Sequence, residues 1–383
     1  MSAERENRKR RNERIQRGLV SLVMFSLVAV GVVTYSMYQQ RKAAEAIMYE
    51  NHQAPDSTLD GGNESPETVQ DAVFDADETF RYYMAAKDQW QPQADGSVLY
   101  NGKRYRRNTF VKAILAIGVD RSGELSEQND TWTNGQSDAV MVIAQDTAHN
   151  HIRVLMLPRD AVTEMYMTDR YGENRALGYD HLSLSWAYGD GREGSAKNTV
   201  DAVQRMLCGL QIDHYAAIDM SALEEINDAV GGVTVTVPND EVQKANPEWT
   251  KGSVITLRGK EAERFLRYRD KDVDNSPTYR MQQHRAYMLG FNDAIRRMSR
   301  QNSSIVTDLY DLTLSYMVTD LDKGEFLKLG MDALGTDGFV SEDIVSLPGV
   351  AIRADETYAW DRVFVDYYSA IPVILDLFYR ETE

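Results

Sequence analysis

The sequence predicts an α/β architecture, a sheet layered with helices and preceded by one membrane-spanning helix. Three observations carry that expectation. Apolar runs of strand length alternate along the chain with segments of helical periodicity, the pattern of layered α/β domains. One run, Val111 to Val119, is mostly apolar and closes on Gly118 and Asp120, as a buried central strand with a polar tip does. Finally, Gly18 to Tyr38 contains no charged residue, about 20 positions that at about 1.5 Å of helical rise match a hydrocarbon core of about 30 Å.

Charge orients the anchor. Residues 1–17 form a basic tail in which Arg5, Arg8, Lys9, Arg10, Arg11, Arg14 and Arg17 outnumber Glu4, Glu6 and Glu13. Only Arg41 and Lys42 follow the apolar stretch before an acidic segment, so the N-terminus is expected in the cytoplasm and the rest beyond the cell membrane, a single-pass arrangement. The apolar run of residues 18–38 exceeds the core of a cleaved signal peptide, and no convincing small-x-small cleavage site follows Tyr38, which favours a retained anchor. The formal net charge of -17 excludes nonspecific nucleic-acid binding. A single cysteine, Cys208, rules out an intramolecular disulfide and reads as a small core residue.

The elements then follow in order. Residues 39–94 read as a linker: Arg41 to about Asp77 is rich in Ala, Glu, Gln, Asp, Gly and Ser, and Phe80 to Trp90 adds a short amphipathic helical piece. Residues 95–383 form the extracytoplasmic domain, entered through a strand-turn-strand fragment from Val98 to Tyr105 around Asn101-Gly102. After the strand at Val111 to Val119, Asp138 to Gln145 and Ile152 to Leu157 pair as a hairpin across the polar turn Asp146 to Asn150, and Pro158 ends the second strand. A helix from Ala196 to Leu207 and a strand from Tyr215 to Ile218 come next. Ser221 with Glu224 suggests a capping box for a helix that stops at Gly231-Gly232. Val233 to Val237 alternates as a strand, and Lys260 to Arg269 reads as a helix. From Thr278 to Arg300, Met281, Met288, Phe291, Ile295 and Met298 recur at helical spacing on one buried face. The tail holds a helix from Val306 to Met317, another after Thr319-Asp320, a strand from Ile344 to Leu347 and a last helix from Asp366 to Tyr379.

Two kinds of charged residue gather at element ends. Asp120 and Asp138 meet if their strands are antiparallel neighbours, and two converging carboxylates either share a proton or hold a hard divalent cation such as Mg²⁺ together with phosphate oxygens. Arg159 follows a strand, Arg267 and Arg269 close a helix, and Arg280 opens the next, where positive charge is unfavourable unless an anion is present. Guanidinium forks on one rim would clamp a diphosphate. A glycosidase would need the paired carboxylates but has no use for the arginines.

The ordered motifs Ile117-Gly118-Val119-Asp120-Arg121, Ser137-Asp138-Ala139-Val140-Met141, Leu157-Pro158-Arg159-Asp160, Ala187-Tyr188-Gly189, Asp213-His214-Tyr215, Val230-Gly231-Gly232-Val233 and Phe265-Leu266-Arg267-Tyr268-Arg269 resemble the LytR-CpsA-Psr family of cell-wall enzymes, from about Arg107 to the C-terminus. The resemblance implies a mixed central sheet sandwiched by helices, with an apolar pocket for a polyprenyl tail. It further implies a phosphotransferase in the cell membrane of a Gram-positive-type bacterium. The enzyme would move a glycopolymer, teichoic acid or capsule-type, from undecaprenyl diphosphate to a peptidoglycan acceptor with Mg²⁺ or Mn²⁺. By motif, Asp120 and Asp138 would hold the metal and, with Arg159, Arg267 and Arg269, carry the chemistry. Arg121, Arg159, His181, Arg267, Arg269, Arg280 and His284 would bind the diphosphate. The chain departs from the family pattern at Gln136, where Arg is usual, at His181-Leu182-Ser183 for Lys-Ile-Asn, and at Gln283-His284 for Arg-Gln. The acid usual before Arg280 is absent, Asp274 being the nearest. These departures keep open two other readings, a polyprenyl-diphosphate phosphatase and a noncatalytic lipid-binding regulator or scaffold.

Overall fold

The computed structural model describes residues 77–121, 125, 133–169, 171–173, 175–268, 276–336, 339–354, 358 and 360–382. The basic tail, the apolar stretch of residues 18–38 and the linker to residue 76 lie outside these. Among the described residues no helix is long and apolar enough to cross a membrane.

The described part opens with helix α1 (Glu78–Ala85), whose first backbone N–H groups are capped by the Asp77 carboxylate. Strands β1 (Gln91–Pro92), β2 (Val98–Tyr100) and β3 (Lys103–Arg107) form an antiparallel sheet that β16 (Tyr379–Thr382) completes from the other end of the chain. Phe80 and Trp90 are buried, so residues that composition groups with the linker pack onto the domain. The physical reason is aromatic: Phe80 packs edge-on against Tyr179 and Phe364, and Trp90 against Tyr379.

The centre is a six-stranded mixed sheet in the order β12-β9-β4-β5-β6-β13. Here β4 is Val111–Val119, β5 Ser137–Asp146, β6 His151–Leu157, β9 His214–Asp219, β12 Met317–Thr319 and β13 Ile344–Ser346. The pairs β4–β5, β5–β6 and β9–β12 are antiparallel, whereas β4–β9 and β6–β13 are parallel. Period-two alternation sends the residues of β4 to two cores. Ile114 and Ala116 join one, while Leu115 and Ile117 join the other.

On the first face lie α3 (Leu223–Ala229), the hairpin of β10 (Val233–Thr236) and β11 (Val254–Leu257), α4 (Lys260–Arg267), α5 (Ser276–Gln301), α6 (Ile305–Thr313) and α7 (Lys323–Leu334). On the second lie α2 (Glu193–Met206) and α8 (Tyr367–Phe378). Two further hairpins, β7 (Val162–Met167) with β8 (Ala176–His181) and β14 (Gly349–Ile352) with β15 (Arg362–Val365), flank one end of the sheet.

Three local expectations are corrected. The Ser221/Glu224 capping box does not form; the Asp219 side chain accepts from Ser221 N and caps a 3₁₀ turn, Met220–Ala222, ahead of α3. The helix expected to run to Met317 ends at Thr313, because Met317 to Thr319 pair with β9 as an edge strand. The helix expected to reach Arg269 ends at Arg267, and Arg269 lies outside the described residues.

Candidate active site

The site is built where β4 ends and β5 begins. Asp120 follows the last residue of β4, and its backbone N–H donates to Gln136 O at 2.9 Å. Between the pairs Gly118–Ala139 and Val119–Ser137, β5 advances two residues against one on β4. Asp138 is the extra residue, a β-bulge, the device that re-aims a side chain at a sheet edge. Ser137 fixes the bulge from below: its hydroxyl donates to the carbonyls of Leu182 and Ser183.

Arg159, released from β6 by Pro158, reaches across. Its Nη1 donates to Asp138 Oδ1 at 2.6 Å and its Nε to Asp160 Oδ1 at 3.0 Å. The Asp138 side chain is wholly buried, and its second oxygen, Oδ2, has no hydrogen-bond partner. Burial pushes its carboxyl well above the usual carboxylate range. Arg159 pulls it down, Asp120 pushes it up, Arg280 pulls it down and Asp160 pushes it up, in falling order. Burial acts against the Arg159 charge in turn, but Asp138, Asp160 and Asp120 outweigh it and hold the guanidinium protonated. These five residues therefore form one electrostatic unit, which brings Asp120, Asp138, Arg159 and Arg280 together.

Arg280 comes from α5, and Gln283 and His284 follow one helical turn later on the same face. All three are buried. Gln283 is fully so, and neither its amide oxygen nor its amide nitrogen has a partner. Such a pair is costly to bury, and one direct explanation is an absent polar ligand. Arg267, the last residue of α4, pairs with Glu263, and its Nε is buried without a partner. Arg121 follows Asp120, and its N–H donates to Val119 O at 3.0 Å.

His181 sits apart, behind the rim, against β14–β15. Its Nδ1 lies 3.2 Å from Asp180 Oδ1 and its Nε2 3.0 Å from the Asp361 carbonyl. Both partners are acceptors, so both ring nitrogens must donate. Burial lowers the imidazole pKa, but the Asp180 hydrogen bond, the charges of Asp180 and Asp160 and the Asp361 carbonyl together raise it above its ordinary value. His181 is thus placed by protein atoms. The sequence reading missed Ser137 and Asn134, which brace the loop from behind; a serine and an asparagine beside a polar loop carry no signal of that role.

A divalent cation suits this donor set. Asp138 Oδ2 is an orphaned buried carboxylate oxygen, Asp120 is its neighbour, and hard oxygen donors are what Mg²⁺ and Mn²⁺ take. Among the described residues no cluster of three or more His, Cys, Asp or Glu could form an all-protein cage.

The chain is similar to known proteins. Over 161 residues the chain is 30% identical to the polyisoprenyl-teichoic acid–peptidoglycan teichoic acid transferase TagU of Bacillus cereus (strain AH820), spanning 42% of this chain and 45% of that protein. It is 28% identical over 168 residues to the transferase TagT of Bacillus subtilis (strain 168), 42% of this chain and 47% of the relative. The chain thus aligns with about half the length of these relatives. The crystal structure of B. subtilis TagV superposes with a TM-score of 0.51 at 19% identity, covering 70% of this chain and 97% of that one, a likeness of fold. The model of one family runs from residue 80 to 362, through every motif that builds the sheet-end site, and on that match the chain belongs to the LytR_cpsA_psr family.

Proposed function

We infer that this chain is a membrane-anchored phosphotransferase that moves a glycopolymer from undecaprenyl diphosphate to peptidoglycan. One observation supports this most: a wholly buried aspartate with an unpartnered oxygen, Asp138, sits in electrostatic contact with Asp120, Arg159 and Arg280 at one end of the sheet. The names of the relatives support the substrate class.

In this reading Asp120 and Asp138 hold Mg²⁺ or Mn²⁺, which when bound withdraws charge from the phosphate oxygens. Arg159 and Arg280 hold fixed positive charge against the diphosphate, where charge grows as the bond to undecaprenyl phosphate breaks. Asp160 orients Arg159 by accepting from its Nε. By motif alone Arg121, Arg267, Arg269 and His284 would also bind the diphosphate, whereas His181 is held behind the rim by Asp180 and the Asp361 carbonyl. A peptidoglycan sugar hydroxyl attacks the glycopolymer-side phosphorus in line, a new P–O bond replaces the diphosphate bridge, undecaprenyl phosphate leaves, and the hydroxyl proton passes to solvent.

The test uses full-length protein in neutral detergent with an undecaprenyl-diphosphate-linked oligosaccharide, with and without a peptidoglycan glycan, under Mg²⁺ titration. The parent is expected to transfer the oligosaccharide, and Asp120→Ala to lose both turnover and metal dependence. Arg159→Lys, which keeps charge but not the fork, is expected to lower kcat by about 10²-fold or more. Phosphate release without transfer would make the chain a diphosphatase, and lipid binding without turnover a noncatalytic regulator.

A further inference from the structure

The Arg159 fork is only as well aimed as the turn that carries it. β6 ends at Leu157, and Pro158 withholds a backbone donor, so residues 159–161 leave the six-stranded sheet. Their three carbonyls are nonetheless all engaged. On one side Arg159 O accepts from Ser183 N at 2.9 Å and Ala161 O from Leu182 N at 2.8 Å. On the other, Asp160 O accepts from Val363 N at 2.7 Å, and Ala161 bridges to Val363 of β15. The turn is a strip of backbone gripped between two others.

The two grips differ in their support. Leu182 lies in the second core, and the Ser137 hydroxyl holds the carbonyls of Leu182 and Ser183. β15 belongs instead to a two-stranded hairpin that shares no ladder with the central sheet, so side chains must fix its place. Alternation turns Val363 and Val365 toward the second core, and Arg362 and Phe364 toward α1.

Arg362 is 6% exposed, a charge that burial penalises unless it is paired. Its Nη2 lies 3.5 Å from Asp77 Oδ2, and its Nη1 donates to Arg353 O at 3.4 Å. The guanidinium sits 5.1 Å from the centroid of the Tyr358 ring and 5.8 Å from that of Phe364, which packs edge-on against Phe80 of α1. A cation stacked on rings and paired at its edge is oriented as well as charged. Asp77 divides its carboxylate: Oδ1 caps α1 by accepting from Thr79 N and Phe80 N, and Oδ2 faces Arg362. Asp361, the residue before Arg362, gives its carbonyl to His181. Three consecutive residues, Asp361, Arg362 and Val363, therefore tie together His181, Asp77 and the Arg159 turn.

We propose that Arg362 is a positioning residue for the reaction: locked by Asp77, where the linker joins the domain, it holds β15 against the Arg159–Asp160 turn and so keeps the Arg159 fork on Asp138. That the fork serves a lipid-borne diphosphate rests on the transfer reading above; the coupling of Arg362 to Arg159 does not. The first helix after the linker thereby becomes part of the frame of the site.

The experiment uses full-length protein in neutral detergent. Arg362→Gln, Arg362→Lys and Asp77→Asn are compared with the parent by thermal denaturation, by calorimetric titration with inorganic pyrophosphate, and by kcat and KM on an undecaprenyl-diphosphate-linked oligosaccharide. Asparagine caps helices as well as aspartate does, so Asp77→Asn removes the charge opposite Arg362 and leaves α1 capped. Arg362→Gln is expected to lower both kcat and pyrophosphate affinity by about tenfold, as misplacement of a group at the site does, and Asp77→Asn by about threefold. Arg362→Lys, which can still pair with Asp77, is expected to recover most of the loss.

The deciding arm is a double-mutant cycle. On Arg159→Lys, which has no fork to aim, Arg362→Gln is expected to reduce kcat and pyrophosphate affinity no further, while lowering Tm as it does in the parent. An arginine that merely stabilised the fold would reduce activity and affinity equally in both backgrounds, and that result overturns the proposal. Parental kcat and pyrophosphate affinity in Arg362→Gln overturn it too. Should Arg362→Gln not fold, Asp77→Asn takes its place in the cycle, and parental values there overturn the proposal. A parent that binds pyrophosphate but never turns over the lipid sinks the transfer reading alone, with the pyrophosphate arm still deciding on Arg362; a parent that does neither sinks both.

Discussion

A wholly buried carboxyl group tends to give up its charge, and Asp138 has reason to keep it only because the guanidinium groups of Arg159 and Arg280 lie within electrostatic reach. Burial is the largest influence and leaves the carboxyl raised well above its usual range, with the positive charge of Arg159 and Arg280 working against it. His181 shows the opposite balance. It is a buried base surrounded by acceptors, Asp180 Oδ1 and the Asp361 carbonyl, with Asp160 adding negative charge and Tyr358 packing on the ring. Its folded pKa is raised above the ordinary imidazole value of 6.5. A raised folded pKa means that the native state binds the proton more tightly than the unfolded chain. The resulting stability is fully present below the unfolded value and is lost as pH rises through the folded one. His181→Gln is therefore expected to cost about 2 kcal/mol at pH 6, typical of hydrogen bonds to a charged group. The gap from the parent is expected to narrow as the pH is raised to 9. Urea midpoints of both proteins at the two pH values check this; a gap that stayed constant would show that His181 is neutral at both.

Helix α5 carries Arg280, Gln283 and His284 to the site, and its seating on the sheet layer depends on one close contact. A Cβ on Gly290 would collide with the Thr234 carbonyl of β10, which is backbone and has nowhere to retreat. Gly290→Ala is expected to destabilise the fold by about 1–3 kcal/mol, the range of overpacked cores, despite alanine's better helix propensity. The same variant, by shifting α5, is expected to weaken pyrophosphate binding, as thermal denaturation with and without pyrophosphate would show; an unchanged Tm would mean that the helix moves freely. Elements of this kind differ in how openly the sequence declares them. Val111–Val119, Asp138–Gln145 and Ile152–Leu157 were legible because strands buried between two layers are apolar throughout, and α5 because Met288, Phe291 and Ile295 keep a 3.6-residue period. The hairpin β7–β8 was not, since Ala176–His181 mixes Gly, Asp and His with few β-branched residues and its strands are only partly covered. At the site, Asp120 and Asp138 stood out as acids at the ends of apolar strands. The bulge that aims Asp138 depends on a register between strands, which no single strand encodes.

At the scale of the molecule, the two ends of the described chain close on each other far from the chemistry. β16 pairs with β3 along four residues, Tyr379 to Thr382 against Arg107 to Arg104, and Tyr379 packs edge-on against Trp90. β3 leads through Asn108 into the start of β4, whereas Asp120 follows its last residue. A nine-residue strand separates the two regions, about 30 Å at about 3.3 Å per residue. The central sheet with its two cores lies between them and carries most of the buried apolar surface. Stability contributed by the closing sheet should accordingly be separable from the affinity of the site. Removing residues 379–383 deletes four paired residues and one aromatic contact, and leaves β3 as a bare edge. We expect a loss of about 2–4 kcal/mol, which for a domain of this size lowers Tm by about 5–10 °C. Pyrophosphate affinity, measured by calorimetry well below the lowered Tm, is expected to stay within about twofold of the parent, a change under about 0.5 kcal/mol. A truncated chain that kept its Tm would mean that β16 is an ornament of the fold. One that kept its Tm but lost pyrophosphate would mean that the far sheet and the arginine rim are coupled through the central strands, contrary to the separation that the topology implies.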